Sequence, residues 1–286
     1  MDIRRQLLLI SNPGLSSDKT YAPQTRDVID RWESYFRSPI GGCWGDGEIM
    51  RLGEDCPISA SRMDVLMSQL NLPEFCEYSI IVFCGHGGCT TDGFDAIQLP
   101  VPSVDTNLYP VIKLIGDDLA PEIRAQIRRT VILDACRSAI GLTYAQLFEQ
   151  RMYSEICTID GIACRDYYNE LIMGVKPHIE LLQSTKQGAY AYGTLDGSCY
   201  GDTVSKIIRT QSELWKIRAL NDSSGHYYYS MHELHDNIAA SPELKNIQEP
   251  QYNSTDLQEN YPFCALHLPN TRTIYAGGQV VEIIED

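Results

Sequence analysis

Residues 130–141 read TVILDACRSAIG: four residues suited to a buried strand, then an aspartate, a small residue, a cysteine and an arginine. In an extended strand residues two apart share a face, so Asp134 and Cys136 lie on the same side. Taken alone, one of ten cysteines after a strand is an ordinary core thiol. A second stretch changes that reading. Residues 78–88, YSIIVFCGHGG, are again a fully apolar strand, and it ends in a histidine set among glycines. In open α/β sheets, sites form beyond the carboxyl ends of the strands. If the two strands are neighbours in a parallel sheet, His86 and Cys136 emerge at one edge. Nucleophilic catalysis by cysteine requires that juxtaposition of a thiol and a base.

The rest of the chain alternates in the same way. Residues 6–10 read as a first strand, and residues 25–36 place Val28, Ile29, Trp32 and Phe36 on one helical face. A short strand is expected over 48–52 and a helix over 61–70, with Ser59 or Ser61 as its N-cap. Residues 119–128 are expected to form the connecting helix, with Asp118 as N-cap and Pro121 in its first turn. Helical spacing returns over 143–152, 198–215 and 230–239, and strands are expected over 158–164 and 263–268. Residues 271–275 and 279–284, joined by Gly277 and Gly278, read as a hairpin. Continuous apolar strands separated by helices predict an α/β fold with a mostly parallel sheet covered on both faces. Residues 166–187 and 248–261 read as long loops, and no repeat or linker divides the chain. One domain over 1–270 is expected, with 271–286 as a hairpin extension of it.

The bulk composition narrows the function. Of 286 residues, 43% are apolar and 21% charged, a globular composition. A net charge of -15 disfavours nucleic-acid binding, which needs a concentrated positive surface. No run approaches the roughly 20 apolar residues of a membrane span, and the apolar stretch near the start is too short for a signal peptide. Ten cysteines without dense regular spacing suggest reduced thiols in a cytoplasmic protein. Cys84, His86 and Cys89 lie close together, but no second ligand pair follows at zinc-like spacing, so no metal is expected there.

Two candidate motifs therefore carry the chemistry. The glycines around His86 let a substrate backbone approach, and the Gly87 amide with that of Cys136 is the natural oxyanion pair. FCGHGG and LDACRS together resemble the two active-site motifs of caspase-like cysteine peptidases, the group of caspases, metacaspases and their prokaryotic relatives. The separation of His86 and Cys136 is that of caspases, about 50 residues. TRDVIDRWESYF, DGFDAIQLP, DGIACRD and the segment from QEPQ to NYPFCAL resemble further metacaspase elements, so the likeness runs over most of residues 5–268. Cys84 departs from the serine usual before the Gly-His-Gly of these families. The resemblance implies a caspase-like three-layer sandwich and a Cys136–His86 dyad with no third orienting residue.

A carboxylate at a strand end is costly unless it is solvated, hydrogen-bonded or paired. Asp134 either caps a following turn or awaits a cationic substrate side chain. The resemblance favours the second: metacaspases carry aspartate here and in the first-helix region, matched by Asp27, where caspases that cut after aspartate have glutamine in place of Asp134. Cleavage after Arg or Lys follows as an expectation. Cys164 and Asp166 are expected beside the pocket wall, although IAC also suits a plain buried strand. No cofactor is expected. Asp92 and Asp95 sit where metacaspases become acidic, and the resemblance leaves calcium open because some members need it, but two loop aspartates are more often simply solvated. HYYYSMHELH reads as an amphipathic helix or aromatic surface. The expected partners are protein substrates and an upstream protease or regulator, with Arg137, Arg151, Lys176 and Lys186 as basic cut sites in a latent enzyme. Family likeness alone suggests a stress, cell-death or bacterial immune pathway. The alternatives are a catalytically silent caspase-like binding module and an esterase or transferase using the same dyad.

Overall fold

The computed structural model describes residues 2–17, 20–89, 94–100, 108–135, 159–194 and 197–268, and the backbone of 272–276 and 279–284. In chain order the elements begin with β1 (Arg5–Asn12), α1 (Thr25–Arg37), β2 (Ile49–Leu52), α2 (Ala60–Leu70) and β3 (Tyr78–Gly85). Then come β4 (Gly87–Cys89), β5 (Asp95–Gln98), β6 (Leu108–Pro110), α3 (Val111–Leu114), α4 (Pro121–Arg124) and β7 (Arg129–Ala135). Next are α5 (Gly161–Gly174), β8 (Ile179–Gln183), α6 (Cys199–Asn221), β9 (His226–Ser230) and α7 (Met231–Ala239). The chain closes with β10 (Gln251–Ser254), β11 (Pro262–His267), β12 (Arg272–Ala276) and β13 (Gln279–Ile284).

Six strands form the central sheet in the order β10-β8-β7-β3-β1-β2. All of its pairings are parallel except that of β10, which runs antiparallel along β8. The inner strands are buried almost throughout because both faces of the sheet are covered. Leu7, Leu9, Ile80, Val82, Ile132 and Leu182 pack toward α1, α5, α6 and α7, while Leu8, Ile10, Ile81, Phe83, Val131 and Leu133 pack toward α2 and α3. This is the expected α/β sandwich. Helix α1 buries Val28, Ile29, Trp32, Tyr35 and Phe36, and the hydroxyl of Ser59 caps α2 by accepting from the Arg62 amide.

Several expectations are corrected. Residues 158–164 were expected to be a strand, but Asp160 caps a helix there by accepting from the Ile162 and Ala163 amides at 2.9 and 3.3 Å, so α5 starts at Gly161. The expected loops hold β8 and β10. Strand β8 escaped notice because it carries polar yet buried residues, Glu180 near its start and Gln183 at its end: the Glu180 carboxylate accepts from Thr130 Oγ1, Tyr252 Oη and the Tyr261 amide. The helix expected over 119–128 shortens to α4, capped at Ala120 and not by Asp118. The hairpin forms as β12 with β13. Strand β11 pairs with β9 in a separate two-stranded sheet. The helix expected over 143–152 lies outside the described residues.

Two buried arginines tie down the amino ends of the strands. Arg129 is fully buried, yet its neighbours are neutral acceptors: Nε donates to Ser79 Oγ at 2.8 Å, Nη1 to Leu114 O at 2.9 Å, and Nη2 to Leu70 O and Asn71 Oδ1. Leu70 and Leu114 end α2 and α3, so the cation meets carbonyls at the negative ends of two helices. Burial lowers its pKa to about 10, which leaves it charged at neutral pH. Arg5 grips Glu48 through two 3.0 Å bonds and lies over the Trp44 ring, 4.3 Å from its centroid. Burial alone would raise the Glu48 carboxyl, but Arg165 and Arg5 hold it at about 2. Replacing Arg129 with Met removes the donor to the carbonyls of two helix ends at once. Urea unfolding of Arg129→Met is expected to show a loss of about 3 kcal/mol or more with an unchanged m-value.

Candidate active site

Strands β3 and β7 are immediate neighbours, and their register pairs Cys84 with Asp134 and Gly85 with Ala135. The expected adjacency of the two motif-bearing strands is therefore present. Cys136 lies outside the described residues, as do Asp92, Arg137 and Arg151. Ala135, the residue before the cysteine, is latched at both polar groups: its amide donates to Ser184 Oγ at 3.2 Å, and that hydroxyl donates to Ala135 O at 3.3 Å. The Ser184 carbonyl in turn accepts from Gln248 Nε2 at 2.8 Å. Ser184 was not foreseen, because it follows a strand that had been read as loop.

His86 leaves β3 between two main-chain bonds. Its amide donates to Asn12 O at 3.4 Å and its carbonyl accepts from Gln98 N at 2.9 Å. Its half-buried ring reaches back to β1, with Nε2 3.2 Å from the Pro13 carbonyl. A carbonyl only accepts, so Nε2 is the donor in this contact. The Pro13 carbonyl thus holds the His86 ring from the main chain, a contact that sequence reading did not foresee. Asn12 builds the turn that presents it: its side chain accepts from the Gly14 amide at 3.0 Å and donates to Gln98 O at 2.7 Å. Asn before Pro-Gly is a turn signature, so this group had a sequence signal that went unused. Gly14 sits at φ +81°, and a β-carbon there would lie 2.8 Å from His86 Nε2. Gly87 opens β4 and pairs with Ile97 of β5.

Asp134 is 3% exposed and turned toward α1 and α6. Its Oδ2 accepts a hydrogen bond from Ser198 Oγ, the N-cap of α6, and the Cys84 thiol lies 3.9 Å away. Its Oδ1 is buried with no hydrogen-bond partner among the described residues. The turn that follows Asp134 lies outside the described residues. One oxygen meets the Ser198 hydroxyl at the start of a distant helix, and the other is unmatched among the described residues. Burial raises the carboxyl to about 6, opposed by the Ser198 bond. Burial also pushes the Cys84 thiol far up, so it stays protonated.

The other expected pocket residues are placed differently. Asp27 is exposed on the first turn of α1, and it is Val28 and Arg31 of that helix that reach the segment around Gly197 and Gly201. Asp166 is not brought to Asp134. It lies on α5 beside Arg165, whose guanidinium bonds Glu48 and Cys43 O at the opposite, amino end of the sheet. Cys164 packs into the core with its Sγ 3.4 Å from the His267 amide. Asp95 is 3.5 Å from Gln183 Nε2, and among the described residues no group of three or more His, Cys, Asp or Glu could hold a metal. No helix among them is long and apolar enough to cross a membrane. Lys186 is exposed and pairs with Glu249 at 2.5 Å.

No family model matches the chain, and no curated protein does. Solved structures do. Caspase-1 from Spodoptera frugiperda aligns over 88% of this chain and 86% of its own, with a TM-score of 0.50 at 10% identity. Protein GSU0716 from Geobacter sulfurreducens aligns over 88% and 93%, with a TM-score of 0.52 at 11% identity. The chain has a caspase-like fold.

The elevated Asp134 value has a stability consequence. Its folded value, about 6, exceeds the ordinary 3.8, so the proton is held more tightly in the folded state. Below the ordinary value both states are protonated and no penalty exists. As pH rises through the folded value, stability is lost, by about 1.4 kcal/mol for each unit of elevation. Asp134→Asn is expected to raise Tm relative to the wild type at about pH 7.5, with the gain disappearing below about pH 4. Calorimetry across that range checks this; a gain independent of pH contradicts it.

Proposed function

We propose that the chain is a cysteine endopeptidase of the metacaspase-like kind that cuts after Arg or Lys. The observation that carries the reading is the β3–β7 register, in which the residue before His86 pairs with the residue before Cys136. His86 Nδ1 takes the thiol proton of Cys136, and the thiolate attacks the scissile carbonyl. The Gly87 and Cys136 amides hold the oxyanion as the tetrahedral intermediate forms. The C–N bond breaks as His86 returns the proton to the leaving amine. Water, deprotonated by His86, then hydrolyses the thioester and restores the thiol. Asp134 supplies the specificity, because a buried carboxylate with an unmatched oxygen favours a cationic side chain. Asp166 has no part in this pocket.

The reading extends to regulation. The enzyme is cytoplasmic and latent, activated by cutting at basic residues such as Lys186 or by a protein regulator, in a stress, cell-death or bacterial immune setting. It needs no cofactor.

Cys136→Ala is expected to abolish cleavage of peptides ending in Arg or Lys, and alkylation of the wild type should do the same; unaltered cleavage by the variant overturns the proposal. Acid should weaken cleavage of basic substrates as pH falls through about 6, where Asp134 gains its proton. Gly14→Ala tests the histidine support. It is expected to lower kcat by about tenfold or more while circular dichroism stays native, since the added carbon displaces the ring from the Pro13 carbonyl.

A further inference from the structure

The carboxylate of Asp134 does not lack a cation nearby. The charged and titratable groups facing it are Cys84 from β3, Arg31 from α1, and Cys199, Tyr200 and Asp202 from α6. Among the described residues only Arg31 is positive, and it is held elsewhere: its Nη2 donates to Asp202 Oδ1 at 2.8 Å. The other Asp202 oxygen accepts from Thr194 Oγ1 at 2.5 Å, which fixes the carboxylate. Val28 stands between the two groups. One of its methyls packs against Gly201, beside Asp134, and the other against Gly197, beside Arg31. Gly197 presses on the clamp so closely that a β-carbon there would fall 2.3 Å from Arg31 Nη2.

A guanidinium on a flexible stem goes to the carboxylate that offers the better fork, and a buried, half-satisfied carboxylate is a strong competitor. We propose that Asp202 is a positioning residue for substrate specificity. It holds Arg31 away from Asp134, so that the pocket keeps an unmatched carboxylate for an incoming Lys or Arg. Asp134, Asp202 and Arg31 together leave one negative charge for the substrate to neutralise. Without Asp202, Arg31 turns onto Asp134 and occupies the pocket as a resident competitor. This inference rests on the endopeptidase reading for its kinetic form, but the movement of Arg31 has a readout of its own.

The test compares wild type, Asp202→Asn, and Asp202→Asn combined with Arg31→Gln. On peptides ending in Arg or Lys, Asp202→Asn is expected to raise KM about tenfold with kcat within about twofold, because competition weakens binding and not chemistry. The double variant is expected to bring KM back to within about threefold of wild type. A wild-type KM in Asp202→Asn, or a loss that Arg31→Gln fails to rescue, overturns the proposal. In parallel, Tm is measured from about pH 5 to 8. Pairing with Arg31 would favour ionised Asp134, so Asp202→Asn should gain stability toward the alkaline end relative to wild type, and the double variant should lose that gain. If the wild type cleaves nothing, the endopeptidase reading fails and this second measurement alone decides the clamp; a pH profile identical to wild type then overturns it. Should Asp202→Asn fold poorly, Thr194→Val loosens the same carboxylate and must shift both readouts in the same direction by a smaller amount.

Discussion

The pairing of β3 with β7 is the constraint on which the rest of the arrangement depends. Parallel neighbours deliver their carboxyl ends to one edge, and a one-residue slip would carry every side chain of one strand to the wrong face. With Ile80 opposite Thr130 and Gly85 opposite Ala135, two segments far apart in sequence end side by side. Asp134 then faces the α1–α6 side together with Cys84, its register partner. The hydroxyl of Ser184, at the end of the next strand, locks the exit of β7.

The two edges of this sheet are electrostatic opposites. At the amino edge Arg5 and Arg129 are buried, and each is matched by carbonyl or carboxylate oxygens at ordinary hydrogen-bond distances. That edge is finished. At the carboxyl edge Asp134 is left half-matched, with its stray charge offset in part by Ser198 and Arg31. Folded proteins tolerate such an imbalance mainly where function uses it.

The sequence was most legible where one physical signal dominated. Buried parallel strands read as unbroken apolar runs, so β1, β3 and β7 could be seen directly, as could the stripe of Val28, Ile29, Trp32 and Phe36 on α1. Strand β8 was not legible, because Glu180 breaks its apolar run and is made tolerable by His178 and by partners from three other segments. Helix α5 was misread for a related reason: its start depends on the Asp160 cap, while its face mixes Cys164, Tyr168 and Ile172 with the buried Asn169. In the site, His86 and Asp134 could be named from their strands. Ser184, Ser198 and Arg31 could not, since each acts through a contact across the fold that no local spacing encodes.

The support of His86 by Pro13 belongs to the same lesson, with one difference. The acceptor is a main-chain oxygen, a group every residue possesses, so no side-chain replacement at position 13 deletes it. What can be lost is the course of the backbone, governed by Asn12 and Gly14 on either side. Divergence in this turn is therefore unequal: position 13 can change its chemistry freely as long as the path holds, whereas its neighbours are bound to their shapes. A comparison of side chains would therefore miss what holds the His86 ring, because the atom that does so belongs to the backbone.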